Sequence, residues 1–318
     1  MATDVAIVIC TYLRPGPLAR ALRSIFAMRR PEGLDVVAVV VDNDPKAEAR
    51  AVVDALRPDS PYLLRYVEAG PPNISVARNA GLAAAADADV VAFLDDDQEA
   101  DAGWLEAVVA GLSALPQDVL FGRVAPRFEA PERASPAIRN LFSREVAGPA
   151  GTELYAMGPA KTPGITLGTC NSIFRRRALE GGLAFDPAFG DAGGEDYDLF
   201  CRLQARGLRF GWLPDAVAVE DVPAARCDGA YLRRRLYAGG QAYAAAVAGA
   251  SRSPQLERWT IRVKAAVQAG LLAASGPAQA LRGSDARADY GFRWAGVLGK
   301  LSFGGLYPVY REGDRRPS

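Results

Sequence analysis

The chain has 318 residues, half of them hydrophobic, and its 37 basic and 37 acidic side chains cancel to zero net charge. Such a chain folds into one large core, or a catalytic domain with a smaller appendage, and it lacks the basic excess of a nucleic-acid binder. It has 0 histidines, which excludes Ser-His-Asp and Cys-His triads, His-ligated zinc and His bases, so acid–base work near neutral pH falls to carboxylates.

In chain order, residues 1–12 carry an acid at Asp4 and only a short apolar run, which reads as a first buried strand over 5–10 and not as a signal peptide. Arg14-Pro15-Gly16-Pro17 marks a turn, and Leu18, Leu22, Ile25 and Phe26 recur at helical spacing. A second β-rich run, 36–41, ends in the turn chemistry of Asp42-Asn43-Asp44-Pro45. A helix over 47–56, a strand over 62–67, a helix over 74–86 and a strand over 90–94 follow, then a helix near 104–112. Short strands alternating with helices predict a mostly parallel sheet covered on both faces.

Residues 126–166 are rich in Pro and Gly with weak periodicity, which predicts a functional loop or lid. Strands are expected over 169–174 and 210–212, with a helix over 195–205 between them. Beyond Asp228 the chain turns helical and Ala/Arg-rich, and its apolar stretches are too short to span a bilayer. The four cysteines, Cys10, Cys170, Cys201 and Cys227, lie far apart with no CxxC pair. They read as buried reduced thiols in a cytosolic protein.

Four segments carry chemistry. The run VVAFLDDD brings Asp95, Asp96 and Asp97 to the carboxyl end of a buried strand, where open α/β sheets bind ligands. Adjacent carboxylates repel and a hard cation relieves them, so Mg²⁺ or Mn²⁺ with substrate phosphates is one reading. A solvated acidic turn capping the next helix is the other. The run GGEDYDLF sets Glu195 and Asp196 at a helix start, where the dipole predicts both ionised at pH 7. Either a general base or an ordinary acidic first turn fits. After the first strand come Thr11, Tyr12 and Arg14, with no glycine cradle of the GxGxxG or GxxxxGK[ST] kind. A nucleotide there is held by side chains, with Tyr12 stacking and Asp42 accepting from a base N–H, unless these are plain strand-end polar residues. Arg78 and Asn79 sit early in a helix, suited to a phosphate or to a surface acid.

Together these segments resemble glycosyltransferase family 2, inverting enzymes of the GT-A fold, over residues 4–240. The resemblance is carried by VAIVICTYLRP, VVVDN, ISVARNAGLAAA, FLDDD, GTCNSIFRR, GGEDYDLFCRL and VEDVPAARCDGAYLRRR, in that order. It implies a Rossmann-like, mixed, mostly parallel sheet with a C-terminal helical extension. The implied catalytic domain is 1–225, with a nucleotide-sugar half (1–125) and an acceptor half (126–225), followed by a helical region over 226–318. It implies that Thr11, Tyr12, Arg14, Asp42, Asn43, Arg78, Asn79, Asp95, Asp96 and Arg234 hold the nucleotide sugar, most often a UDP-sugar. It further implies Asp97 and Asp95 at a divalent ion (Mn²⁺ or Mg²⁺), Asp196 as base and Glu195 beside it or at the acceptor.

Many relatives carry a His near Asp221, where this chain reads Val219-Glu220-Asp221-Val222. The cluster of Arg226, Arg233, Arg234 and Arg235 fits a diphosphate or a solvated basic face. The acceptor implied is a saccharide or a lipid-linked saccharide. A cytoplasmic protein with peripheral membrane contact through its C-terminal helices is the matching expectation. A sugar nucleotidyltransferase and a non-catalytic nucleotide-sugar binder are the alternatives, and the former fits Thr11-Tyr12-Leu13-Arg14 poorly because it favours a Gly-rich opening loop.

Overall fold

The structure, a computed structural model, describes residues 3–182, 184–280 and 282–309. Strands β1 (Thr3–Thr11), β2 (Leu34–Asp42), β3 (Leu63–Glu68) and β4 (Val90–Asp95) pair in parallel in the order β3-β2-β1-β4. Between them run α1 (Pro15–Phe26), α2 (Ala49–Leu56) and α3 (Ile74–Ala84). Strand alternation sorts the two faces. Val5, Ile7 and Ile9 pack with Leu18, Leu22 and Ile25 of α1 and Val53 of α2, whereas Ala6 and Val8 face Ala77 of α3. Burial on both faces explains the apolar runs of β1, β2 and β4, whereas the edge strand β3 is partly exposed.

After β4 the chain reverses at once into the short β5 (Gln98–Ala100) and then α4 (Trp104–Ala114). The sheet continues through β6 (Val119–Phe128), β8 (Ser172–Arg175) and the long β9 (Phe210–Val222) in the order β4-β8-β6-β9-β5. Here β8 is antiparallel to both neighbours while β6 and β9 are parallel, giving a mixed sheet. The two-residue β7 (Glu153–Leu154) adds to the start of β9.

The expectation for 126–166 needs correction in part. The stretch opens with the end of β6 and contains α5 (Pro136–Phe142) and β7. Strand β6 is hard to read because Gly122 and Pro126 interrupt it. A bulge falls between Gly122 and Arg123, and the Asn171 side-chain amide donates across it to the carbonyls of Arg123 and Ala216, each at 2.8 Å. Only Gly fits at 122, since a Cβ would meet the Asn171 amide and the Ala216 carbonyl.

Helix α6 (Glu195–Ala205) has the boundaries expected. It packs with α7 (Gly229–Ala250), whose Ala242, Ala246 and Val247 join the same core as Phe121, Phe174 and Phe200. Two helices complete the described chain, α8 (Pro254–Ala280) and α9 (Ser284–Leu301). No helix among the described residues is long and apolar enough to cross a membrane.

Candidate active site

The parallel strands align their carboxyl ends, so Thr11 lies opposite Asp42 and Cys10 opposite Asp95. This edge gathers the expected residues. The Thr11 hydroxyl donates to Asp96 (2.8 Å), and one Arg14 nitrogen donates to Asp96 (2.9 Å) and Asp97 (2.7 Å). Asp97 is only 8 % exposed. The β4–β5 reversal turns Asp96 and Asp97 back under Arg14, and β5 then pairs with β9, bringing Gln98 opposite Glu220. The backbone N–H of Asp221 donates to the Asp97 carbonyl (2.9 Å), so acid turn and β9 are tied directly.

That pairing selects Glu220 for the site. Arg226, in the turn after β9, lies 3.2 Å from both Asp97 and Glu220. Asp221 faces the other way, accepting from Arg20 (2.9 Å) and Arg127 (2.6 Å). Strand alternation, applied to the Glu220-Asp221 pair, is the sequence signal that distinguishes them.

On the opposite side, α3 and α6 meet. Arg78 and Glu195 form a buried ion pair, with side chains 9 % and 3 % exposed. The entry to α6 needs Gly193 and Gly194 at φ 79° and 95°, the left-handed region. Asp196 follows, partly exposed, one oxygen accepting from the Tyr197 N–H (2.6 Å). Its other oxygen lies 2.9 Å from where a Cβ on Gly168 would stand. The two halves form one electrostatic cluster, because Asp95 experiences the charges of Arg78, Asp97, Asp96 and Asp196.

Burial pushes Asp95 up to about 6, with Arg78 opposing and the neighbouring acids adding to the rise. Burial likewise raises Asp96, and takes Glu220 to about 7 with the help of Asp97 and against Arg226. Glu195 also rises to about 7, since desolvation outweighs Arg78. The helix dipole that favours an ionised Glu195 is thus opposed by desolvation, and the Arg78 guanidinium beside it supports the charged form. Six carboxylates (Asp95, Asp96, Asp97, Glu195, Asp196, Glu220) share Arg14, Arg78 and Arg226 as their near cations. An all-oxygen, charge-deficient cluster has the chemistry of a hard divalent cation site. Among the described residues no three such side chains stand close enough to enclose an ion, and Asp97 is held by Arg14 and Arg226.

Of the other expected residues, Asp42, Asn43 and Asn79 also bond within the scaffold. Asp42 is 1 % exposed and accepts from the N–H groups of Asp44 (2.9 Å) and Ala49 (3.1 Å) and from the Tyr66 hydroxyl (2.8 Å). Asn43 accepts from the Asn73 N–H (2.7 Å) and donates to the Ala69 carbonyl (2.9 Å). Asn79 clamps Phe185 through its N–H and carbonyl, each at 2.8 Å. Tyr12 is half-buried at the strand end. Arg234 is exposed on α7, and the α7 arginine whose charge reaches Glu220 is Arg235.

A mixed, mostly parallel α/β sheet with its acids at the carboxyl edge and a glycine-led acidic helix beside them is the GT-A class of nucleotide-sugar fold. Residues 6–183 match the family described as Glycosyl transferase family 2. The chain is 34 % identical over 243 residues to the succinoglycan biosynthesis protein ExoM of Rhizobium meliloti (strain 1021), covering 74 % of this chain and 72 % of that one. It belongs to glycosyl transferase family 2 and is a glycosyltransferase. Solved structures show the same fold. S. aureus TarS 1-349 in complex with UDP superposes with a TM-score of 0.55 at 16 % identity, over 98 % of this chain and 92 % of that one. The Pyrobaculum calidifontis mannosyltransferase PcManGT, in complex with GDP-Man and Mn²⁺, gives 0.55 at 18 % identity, over 94 % and 86 %.

Proposed function

We propose that this glycosyltransferase moves a sugar from a nucleoside-diphosphate sugar, UDP foremost, to a hydroxyl of a saccharide or lipid-linked saccharide, inverting the anomeric centre by single displacement. What supports this reading is the Arg78–Glu195 pair, which ties the start of α6 to α3 beside the acidic end of β4, together with the influence of both Asp97 and Asp196 on Asp95. Relatives point the same way: ExoM is a succinoglycan biosynthesis protein, TarS has been solved in complex with UDP and with UDP-GlcNAc, and PcManGT with GDP-Man and Mn²⁺.

In this mechanism Asp196 is the base. It is partly exposed, with one oxygen accepting from the Tyr197 N–H, and it takes the proton of the acceptor hydroxyl as that oxygen attacks. Glu195 holds Arg78 and so fixes the floor of the site. Asp97 and Asp95 are the side chains that would hold a divalent cation, with Glu220 beside Arg226 close by and the phosphates of the donor completing the shell that these carboxylates do not enclose by themselves; such a cation would supply Lewis-acid stabilisation of the departing diphosphate. Arg14 and Arg226, which pair with Asp97 here, are the cations that would pair with the phosphate oxygens of the donor.

The test follows nucleoside-diphosphate release from a panel of nucleotide sugars, with Mn²⁺ or Mg²⁺, for the parent, Asp97→Asn and Asp196→Asn. Asp196→Asn keeps nucleotide affinity and loses turnover about 10²-fold or more, while Asp97→Asn loses the metal-dependent part of the affinity. Normal turnover by Asp196→Asn overturns the base assignment.

A further inference from the structure

Among the described residues, helix α8 presents an apolar stripe that stays exposed. Leu256, Trp259, Val263, Val267 and Leu271 follow one another at steps of three and four residues, so they share one face of the helix. Their exposures run from 58 to 68 %. The opposite face is the one the fold uses, with Ile261 in the main core and Ala265 and Leu272 against Val297 of α9. Phe303, 76 % exposed, extends the apolar surface, and the Arg262 guanidinium lies 3.8 Å from its ring centre and 5.7 Å from that of Trp259.

Charge identifies what covers this stripe. Residues 226–318 hold 15 Lys and Arg against 6 Asp and Glu, a net of +9, whereas residues 1–225 hold 22 against 31, a net of −9. The zero net charge of the chain conceals this division. Around the stripe stand Arg258, Arg262 and Lys264, and α8 has a single acid, Glu257. An aromatic and aliphatic face bordered by Arg and Lys suits the boundary between acyl chains and anionic headgroups. A second copy docked two-fold on the same stripe would bring two surfaces of the same positive sign together.

We infer that the α8 stripe docks this protein in the plane of an anionic phospholipid surface, with Trp259, Val263 and Val267 entering the headgroup–acyl boundary and Arg258 and Lys264 meeting phosphate. The helix lies on the bilayer without crossing it. This inference does not depend on the transferase chemistry, and its test reads binding, not turnover.

The full chain is floated with vesicles of phosphatidylcholine alone and of phosphatidylcholine with about 30 mol % phosphatidylglycerol, at low and high salt. The expected result is binding to the anionic vesicles at least about tenfold above the neutral ones, weakened by salt. A blue shift of tryptophan emission accompanies it and is absent in Trp259→Phe. Val263→Glu/Val267→Glu replaces exposed side chains, so it keeps the parent's circular dichroism and loses vesicle binding about tenfold or more. Arg258→Glu/Lys264→Glu loses the preference for anionic vesicles. Absence of binding by the parent, equal binding to both vesicle types, or parent-like binding by Val263→Glu/Val267→Glu each overturns the inference. So does sedimentation showing a dimer that Val263→Glu/Val267→Glu dissociates, which would assign the stripe to a second copy.

Discussion

Arg78 and Glu195 close on one another across 117 residues of sequence and join α3 to the start of α6 in a buried ion pair. One Glu195 oxygen, Oε2, is buried without a hydrogen-bond partner. The pair is therefore held with a carboxylate only half satisfied, an arrangement that burial makes costly.

A pH signature follows. Glu195 is at about 7 in the folded chain against an ordinary 4.5, chiefly through desolvation. A carboxyl group raised in this way stabilises the folded state below the unfolded value and loses that contribution as pH climbs through the folded one. Between about pH 4.5 and 7 the unfolding free energy therefore falls by up to about 1 kcal/mol per pH unit from this group. Urea midpoints at pH 5, 6 and 7 should show the parent losing stability relative to Glu195→Gln as pH rises. A constant difference would mean that Glu195 stays ionised when buried.

Glu220 and Asp221 are adjacent, and their substitutions should separate cleanly. Glu220→Gln is expected to weaken Mn²⁺-dependent UDP binding about tenfold, because it removes one of the acids around Asp97. Asp221→Asn touches only the part-exposed partners Arg20 and Arg127, so nucleotide affinity stays within about twofold and stability changes by about 1 kcal/mol or less. Titration calorimetry with and without Mn²⁺ distinguishes the two.

Gly168 marks the clearance around Asp196, the proposed base. A Cβ there would stand 2.9 Å from the Asp196 carboxylate, so Gly168→Ala displaces that side chain without touching the Asp96–Asp97 turn. Steady-state kinetics should show kcat reduced about tenfold or more with donor affinity unchanged. A loss of donor affinity alone would place Gly168 in the nucleotide subsite.

Helices α7 and α9 touch through glycines. A Cβ on Gly299 would collide with the Tyr237 carbonyl, and one on Gly240 with the Gly296 carbonyl. Backbone gives way less readily than side chain, so Gly299→Ala should cost about 1–3 kcal/mol in the docking of α9. Hydrogen exchange should then rise across α8 and α9 while β1 to β4 stay protected.

Much of this architecture is written locally. The strands β1, β2 and β4 are apolar runs that stop at polar residues, and α6 begins at its glycine pair, so each announces itself within about ten residues. What escaped local reading depends on partners far away in sequence. Strand β6 exists because Asn171 bridges its bulge, Glu220 enters the site because β5 folds onto β9, and Arg78 meets Glu195 because two helices converge. Polar groups at strand ends serve turns and ligands alike, so the sequence around Asp42 and Asn43 leaves open the turn role they have here. Only their hydrogen bonds to Ala49, Tyr66 and Ala69 reveal the turn role.

The turn bearing Asp96 and Asp97 is stitched into the sheet at both ends, by β4 before it and by the β5–β9 pairing after it. Such a turn has little freedom to surrender when a ligand arrives, so its share of the ordering entropy is already spent during folding. On the proposed reading, adaptation to a donor would fall instead to the guanidinium arms of Arg14 and Arg226, which can reorient by bond rotation without moving the chain beneath them.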